Sequence, residues 1–472
     1  MNFRGIFYYL GLFCFPLSFL SFLNILYSSY FDYFLNIESY AVTLFLSLVF
    51  GFLFYLSGKN KDKKVNFYEQ IVLIIIIYIT TSLIVSIPYY LSNYQITFIN
   101  SIFEAFSGIT GTGFTIFENI KYLDPTLILW RSSSQWIGGL YFLIFLILFF
   151  SNSKFNYKLN NLVFISDKSF DPETNIKKIS LKIFFIYSIL SVLMFSAFSL
   201  SGIRLFDSLN LSMSLVSAGG FLPTNNLNLI IRNNFQEIIL VVAFIISMLN
   251  IFFIFNMLNL KNLVKIHTED FAILFLAFSF SLVFFVSIEN LNFLEVLSVI
   301  LSSISNSGIS MSSVPNNFSL FLLFLTLIGG SLISNTSGIK FIRIYILLKS
   351  SFFEIFRLVR PNNIINKNIL FSSNKINNEY TKISFLIFIS FFISLFILSG
   401  ILVLDNIDFE NSFKLSILTI TNTATSGLYG LTGVDFKNLL TSSKVFIIIF
   451  MVIGKIELIS IFLIIKKIFF RG

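Results

Sequence analysis

The sequence predicts an all-α integral membrane protein: a helix pair followed by four helix–loop–helix repeats. Three observations predict it. Of the 472 residues, 56% are hydrophobic and only 12% charged, whereas a soluble domain carries about 25% charged residues. Apolar runs long enough to span a bilayer as helix, about 20 residues each, recur along the whole chain. Between them lie four shorter, semi-polar segments ending on one small–Gly–apolar pattern.

The elements follow in order. Helices are expected over 5–27 and 39–57. The first begins with one Arg and an apolar run, without a small-residue cleavage site, so a retained helix is expected rather than a signal peptide. After Lys59, Lys61, Lys63 and Lys64 the repeats begin. Their first helices are expected over 68–92, 180–202, 270–289 and 383–404, their second helices over 126–150, 236–258, 319–349 and 443–468. The segments between run 99–117, 206–224, 294–313 and 411–432. The chain thus divides into a helix pair, 1–64, and units 65–155, 156–262, 263–362 and 363–472.

Charge orients these elements. Of the 32 Lys and Arg, only Lys121, Arg204, Arg232, Lys414 and Lys437 fall in loops on one side. Most others gather opposite, at Arg4, Lys59–Lys64, 151–182, 259–268, 349–382 and the tail Lys466, Lys467 and Arg471. The positive-inside rule makes that side, and both termini, cytoplasmic. The net charge of +9 is therefore a membrane signature, not one of nucleic-acid binding. Cys14 is the single cysteine, so no disulfide within the chain and no cysteine metal cluster is available. The single histidine, His267, stands beside Lys265 and Glu269 and reads as a solvated linker residue. No nucleophile–base or metal constellation is present, so an enzyme is not expected.

The four middle segments leave and re-enter the same face, as a short helix that dips in and returns as irregular backbone. Such backbone is tolerated at membrane depth only where protein or a water-filled path satisfies its polar groups. The turns read Thr112-Gly113-Phe114, Gly219-Gly220-Phe221, Ser307-Gly308-Ile309 and Ser426-Gly427-Leu428. Thirteen positions before each Gly stands a polar residue, Asn100, Asp207, Glu295 or Lys414. This internal repetition predicts helix–pore-loop–helix repeats in pseudo-fourfold symmetry around one ion pore. A cation filter replaces the hydration shell with backbone carbonyls, which needs Gly and small neighbours. The candidate ligands are Thr110, Gly111, Thr112 and Gly113; Ser217, Ala218, Gly219 and Gly220; Ser305, Asn306, Ser307 and Gly308; Ala424, Thr425, Ser426 and Gly427. None is charged, which suits a monovalent cation better than calcium. Pore-helix C-termini aimed at the path add a favourable dipole. The competing explanation of each motif is close helix packing by small residues. A secondary carrier also uses broken helices, but usually as inverted repeats.

These residues carry a family resemblance. Phe103-Glu104-Ala105-Phe106-Ser107-Gly108-Ile109-Thr110-Gly111-Thr112-Gly113 resembles the first pore loop of the Trk/Ktr/HKT superfamily of potassium transporters. Leu129 to Gly139, with Trp130-Arg131-Ser132 and Gln135-Trp136-Ile137-Gly138-Gly139, resembles the segment that follows it. Ser217-Ala218-Gly219-Gly220-Phe221 resembles the second loop, and Gly454-Lys455-Ile456-Glu457 the last helix. The fourth loop, Ala424 to Thr432, is closer to the Ktr branch; the N-terminal helix pair and the length are closer to the Trk branch. The resemblance implies potassium as transported ion and a bacterial cytoplasmic (inner) membrane location. It also implies a homodimer with a pore in each protomer, and a cytosolic Rossmann-type nucleotide-binding regulatory subunit of TrkA/KtrA type. The chain lacks a G-x-G-x-x-G in a βαβ frame, so a nucleotide would bind that partner, and segments 151–182 and 349–382 are its expected docking surfaces. A Na⁺- or H⁺-coupled, or less selective, monovalent cation transporter of the same fold stays open.

The resemblance extends to an interrupted helix in the third unit. Gly329, Gly330, Ser331, Ser334, Asn335, Thr336 and Gly338 make a polar stretch at mid-membrane depth, expected to unwind into a gate loop. Leu332, Ile333 and Ser337 stand where the family usually has small residues or Gly, and Ser305-Asn306-Ser307 replaces its Thr-rich run. Buried charges in membranes are usually paired or functional; the candidates are Arg131, Lys340, Arg343, Lys455 and Glu457. Arg343 is expected to brace the loop. Lys340 either does the same or snorkels to the interface. Lys455 and Glu457, two apart, are not expected to pair.

Overall fold

In the computed structural model the chain is described over residues 3–58, 65–150, 176–257, 267–288, 291–311, 315–359, 378–431 and 434–457, with a few isolated positions beyond. Among the described residues no strand occurs, and six helices are long and apolar enough to cross a membrane. The chain is a multi-pass membrane protein. The basic cluster 59–64, most of 151–182, the linker 258–266 and much of 360–377 lie outside the described residues.

The N-terminal pair is α1 (Phe3–Tyr30) and α2 (Ile37–Gly58). It packs on the first unit, α3 (Phe67–Tyr90), α4 (Phe98–Thr110) and α5 (Pro125–Phe150). Small residues permit the α1–α2 approach: a methyl on Gly11 would lie 2.7 Å from the Gly51 carbonyl oxygen. Polar groups fix the register against unit one. Tyr40 donates to Thr126 Oγ1 at 3.3 Å, and Asn36 to Asp124 at 3.1 Å. Within unit one, Trp130 Nε1 donates to the Val85 carbonyl at 3.1 Å and ties α5 to α3.

Unit two is α6 (Ile176–Leu200), α7 (Leu205–Val216), α8 (Asn234–Met248) and α9 (Phe252–Met257); unit three is α10 (Thr268–Ser287), α11 (Phe293–Ile304), α12 (Ser319–Ile328) and α13 (Phe341–Val359). Unit four is α14 (Asn378–Leu404), α15 (Phe409–Ile420) and α16 (Thr441–Ile456). The first helices lie within a few residues of the expected spans. The short helices α4, α7, α11 and α15 have 12 or 13 residues, about 20 Å at 1.5 Å per residue, too short to cross.

Three second helices are broken. The third is interrupted between Ile328 and Phe341, where the polar stretch stood. The second, expected continuous over 236–258, breaks after Met248. No Gly or Pro marks that site; the cause is tertiary. The chain from unit three lies against it, Ser331 N donating to Met248 O at 2.8 Å and Ile251 N to Ile333 O at 3.1 Å. Asn250 N donates to Asp270 Oδ1 at 2.9 Å. The fourth second helix, expected to run to 468, is interrupted after Ile456 by Glu457 at φ 68°, and Ser460, Leu463, Ile464 and Lys467 beyond it are again helical.

Glycines on the second helices let them pack directly behind the short helices. A methyl on Gly138 would lie 2.0 Å from Ile109 O, and one on Gly454 would lie 2.1 Å from Ile420 O. Overpacking of that kind costs about 1–3 kcal/mol. Gly138→Ala and Gly454→Ala are each expected to lower thermal stability of the detergent-purified protein by that amount. Gly400→Ala, where a methyl meets nothing within 4 Å, is the control and leaves stability unchanged or slightly raised. Equal melting temperatures for all three would contradict the packing.

Candidate ion pathway

The short helices end in one repeated backbone figure. Two residues past the helix the chain turns left-handed at Ala218 (φ 56°), Asn306 (φ 60°) and Asn422 (φ 50°), and in unit one Gly111 (φ 77°) does the same directly after Thr110. Gly and Asn tolerate this conformation better than other residues. Backbone hydrogen bonds of one span close three of the turns, Gly219 N to Ser214 O at 2.8 Å, Ser307 N to Ser302 O at 3.2 Å and Thr423 N to Leu418 O at 2.9 Å, and in unit one Gly113 N donates to Ser107 O at 3.4 Å. In three units a serine hydroxyl bridges to the carbonyl seven residues on: Ser107 to Phe114 at 2.6 Å, Ser214 to Phe221 at 2.6 Å, Ser302 to Ile309 at 2.5 Å.

Two residues beyond the left-handed position, the four chains meet. A methyl on Gly113 would lie 2.9 Å from both the Ala424 methyl and Gly220 Cα. One on Gly220 would lie 2.1 Å from the Ala424 methyl and 2.8 Å from Ser307 O; one on Gly308 would lie 2.4 Å from Ala424 O. Gly113, Gly220, Gly308 and Ala424 are therefore the equivalent positions at the centre. This corrects the expected fourth member: Gly427 lies three residues further on, exposed, in a 3₁₀ turn, with nothing within 4 Å of its would-be Cβ. Thr425 and Ser426 are displaced with it. The physical reason is the length of α15, which ends at Ile420 and puts Thr421-Asn422-Thr423-Ala424 at the centre. The signal was present: Ser305-Asn306-Ser307-Gly308 and Thr421-Asn422-Thr423-Ala424 share a hydroxyl–Asn–hydroxyl run.

Side chains behind the tips hold them. Glu104 and Arg131 form a buried ion pair at 2.9 Å. Arg131 also donates to Thr115 Oγ1 at 3.0 Å, and Glu104 accepts from Ile116 N at 2.9 Å. The guanidinium carbon stands 4.1 Å from the Phe221 ring centroid, a cation–π contact joining units one and two. Gln135 Oε1 accepts from Phe221 N at 3.1 Å and stands 2.6 Å from Ser214 Oγ, sharing that hydroxyl's single hydrogen with Phe221 O. Units three, four and one are joined in turn, Asn306 Nδ2 donating to Thr423 Oγ1 at 3.1 Å and Asn422 Nδ2 to Thr112 Oγ1 at 2.9 Å.

The interrupted helix lies against this junction. Gly329 (φ 64°) and Gly338 (φ 80°) sit at its ends. Gly330 allows close approach to the break in unit two: a methyl there would lie 2.4 Å from Met248 O. The Lys340 side chain is buried and does not snorkel. Its ammonium shares three N–H donors among five oxygens, Thr336 O at 2.5 Å, Thr336 Oγ1 at 3.1 Å, Ser331 O at 3.2 Å, Ser334 Oγ at 3.2 Å and Ser334 O at 3.3 Å. Arg343 donates to Ile339 O at 3.2 Å, directly after the loop, and pairs with Glu457 at 2.6 Å. Lys455 donates to Asn335 O at 3.1 Å, its ammonium 4.4 Å from the Phe142 centroid. Asn335 Nδ2 in turn reaches Val216 O at 2.7 Å.

With this geometry in hand, comparison with known proteins is decisive. The family model TrkH, described as a cation transport protein, matches residues 37–305. The chain belongs to that family. It is a transport protein, not an enzyme. An uncharacterized cation transporter of Methanocaldococcus jannaschii is 27% identical over 433 residues, 91% of this chain and 88% of that one. The Trk system potassium uptake protein TrkG of Escherichia coli is 25% identical over 425 residues, 86% of each chain. The crystal structure of the potassium transporter TrkH from Vibrio parahaemolyticus superposes with a TM-score of 0.85 at 20% identity, covering 98% of both chains, and shows the fold.

Several residues of this TrkH-family chain escaped the sequence reading. Glu104 went unnoticed as the partner of Arg131. Glu269 accepts from Leu332 N at 3.0 Å. His267 is a correction: it is buried, not solvated, with Nδ1 2.7 Å from Asp270 Oδ2 and Nε2 3.0 Å from Asn256. The bundle end closes over it, which no local pattern announces. Removing one partner of a buried ion pair typically costs about 3–5 kcal/mol. Arg131→Met is expected to destabilise by that amount. Arg131→Met with Glu104→Gln is expected to recover part of it. A double-mutant cycle by thermal unfolding measures the coupling, and additive losses would deny it.

Proposed function

We propose that this chain takes up potassium through the junction of its four loops. Backbone carbonyls of Thr110–Gly113, Ser217–Gly220, Ser305–Gly308 and Thr421–Ala424 serve as the filter, and residues 329–340 serve as gate. The observation that carries this reading is the meeting of Gly113, Gly220, Gly308 and Ala424 at one point. Four short helices end just before it, and their C-terminal dipoles favour a cation there. No charged side chain stands within those four stretches, as carbonyl coordination of a monovalent ion requires. The relatives named as potassium uptake proteins support the choice of ion.

The gate assignment rests on place and polarity. Residues 329–340 are non-helical and buried among helices directly beside Val216 and Lys455. Each of the units 65–155, 156–262, 263–362 and 363–472 contributes one loop. The family resemblance supports a homodimer and a cytosolic nucleotide-binding subunit that moves the gate. It would dock on 151–182 and 349–382, of which 176–182 and 349–359 are among the described helices. The charge pattern puts both termini in the cytoplasm.

One observation favours a less selective monovalent cation transporter as the second reading. Ala424 brings a methyl to a junction where the other units have Gly, so the four ligands are not equivalent.

Expression in a bacterium lacking potassium uptake tests the reading. Growth at low potassium is expected, and Gly220→Ser, Gly308→Ser and Ala424→Val should each reduce uptake about tenfold or more, a barrier change of about 1.4 kcal/mol. Rescue unaffected by all three, with protein still in the membrane, would sink the filter assignment. Deleting Leu332 to Ser334 should raise flux in membrane vesicles. Unchanged or lower flux from a folded deletion would remove the gate assignment.

A further inference from the structure

Two adjacent carboxylates at the start of α10 hold both broken helices. The non-helical chains of units two and three lie against each other, Ser331 N donating to Met248 O at 2.8 Å and Ile251 N to Ile333 O at 3.1 Å. Leu332 lies between these two contacts, and its N–H donates to Glu269 Oε1 at 3.0 Å. The same carboxylate faces the backbone amide of Ile342, just past the interrupted segment. Asp270, the next residue, accepts from Asn250 N at 2.9 Å through Oδ1. Its Oδ2 stands 2.7 Å from Nδ1 of His267, whose Nε2 stands 3.0 Å from Asn256 Nδ2 on α9. One corner of the bundle, made of α9, His267 and α10, thus reaches both the interrupted helix and the break it rests on.

The sequence explains why carboxylates can serve here. Glu269 and Asp270 stand in the first turn of α10, with His267 at its N-cap. Free backbone N–H groups and the helix dipole stabilise negative charge at such a place, which offsets part of the cost of burying an acid. Glu269 is 8% exposed and Leu332 3%, so the Leu332 N–H depends on the carboxylate rather than on solvent. The bond also differs in kind from those of Lys340. The Lys340 ammonium binds oxygens of Ser331, Ser334 and Thr336 within the same segment, so those contacts can travel with it. Glu269 belongs to a neighbouring helix, and its bond to Leu332 holds the segment in place.

We propose that Glu269 is a positioning residue for transport, a latch that keeps residues 329–340 in the blocking position. Asp270 and His267 fix the break in unit two against which the segment is held. The inference rests on the proposed gate, since only a blocking segment gives a latch something to hold shut. Displacing the segment must break the bond between Leu332 and Glu269, so loss of the acceptor shifts the balance towards the displaced state. Glu269 makes no contact with the four loop tips in this arrangement, so ion preference stays as it was.

Rubidium flux into membrane vesicles carrying the full-length chain, normalised to folded protein, reads the latch. Glu269→Leu removes the acceptor and is expected to raise flux about fivefold or more, with the ratio of rubidium to sodium flux unchanged. A carboxylate that only supported the fold would give lower flux on removal, not higher. Glu269→Gln keeps an acceptor oxygen and is expected to stay within about twofold of wild type. Added to the deletion of Leu332 to Ser334, which removes the donor, Glu269→Leu is expected to change nothing further; a further rise would place its effect elsewhere and overturn the latch. Unchanged or lower flux in folded Glu269→Leu, beside a deletion that raises flux, would overturn the latch and leave the gate standing. No rise in the deletion would overturn the gate and the latch with it. Flux in Glu269→Gln as high as in Glu269→Leu would overturn the hydrogen bond as the holding contact. Should Glu269→Leu fail to fold, Glu269→Asp keeps the charge at the helix start and shortens the reach by a methylene. It is expected to raise flux severalfold, and wild-type flux would count against the latch.

Discussion

Non-helical backbone inside a membrane must find every hydrogen bond within the protein, because lipid offers none. The rest of this structure depends on meeting that constraint at the four loop tips and along residues 329–340. The solutions are short-range and repeated. Ser107, Ser214 and Ser302 each place a hydroxyl on a carbonyl seven residues ahead. Asn306 and Asn422 both adopt the left-handed turn and satisfy carbonyls on neighbouring helices. The interrupted helix uses an ammonium instead: Lys340 gathers oxygens of Ser331, Ser334 and Thr336, much as a bound ion would.

Buried charges in this chain act as positioning devices. A buried ion pair is weak evidence for net stability, since desolvation offsets much of the attraction. Its geometry is nevertheless restrictive. Arg131 reaches Glu104, Thr115 and the Phe221 ring at once, which places the tips of units one and two relative to each other. Arg343 ties the start of α13 to Glu457 at the end of α16. That contact coincides with the interruption after Ile456, where Glu457 takes a positive φ and its carboxylate meets the guanidinium.

The long helices were legible because hydropathy over some 20 residues is a strong signal, and the first helices fell where expected. What escaped depended on contacts between distant segments. The break after Met248 follows from Ser331 and Ile333 pairing across it, and its local sequence is ordinary. His267 looked like a linker residue by its neighbours, yet Asp270 and Asn256 enclose it. In unit four the small–Gly–apolar rule chose Gly427, because the true equivalent, Ala424, lacks the Gly the rule relied on. Backbone conformation was the better guide, since an Asn that tolerates the left-handed turn marks units three and four alike.

Each seam between the four tips is closed by a carboxamide side chain, and one of these comes from outside the tips and the helices directly behind them. Gln135 closes the seam between units one and two, Asn306 that between three and four, and Asn422 that between four and one. All three are short-range contacts made by the tips or by the helix directly behind them. At the seam between units two and three, Asn335 from the interrupted helix donates to Val216 O at the end of α7, and the same residue's carbonyl holds Lys455 from unit four. A segment at 329–340 that shifts must break both bonds, exposing a helix C-terminus and freeing an ammonium beneath the tips. Asn335 is thus the residue through which the proposed gate segment is hydrogen-bonded both to the end of α7, directly before the Ser217–Gly220 stretch, and to α16.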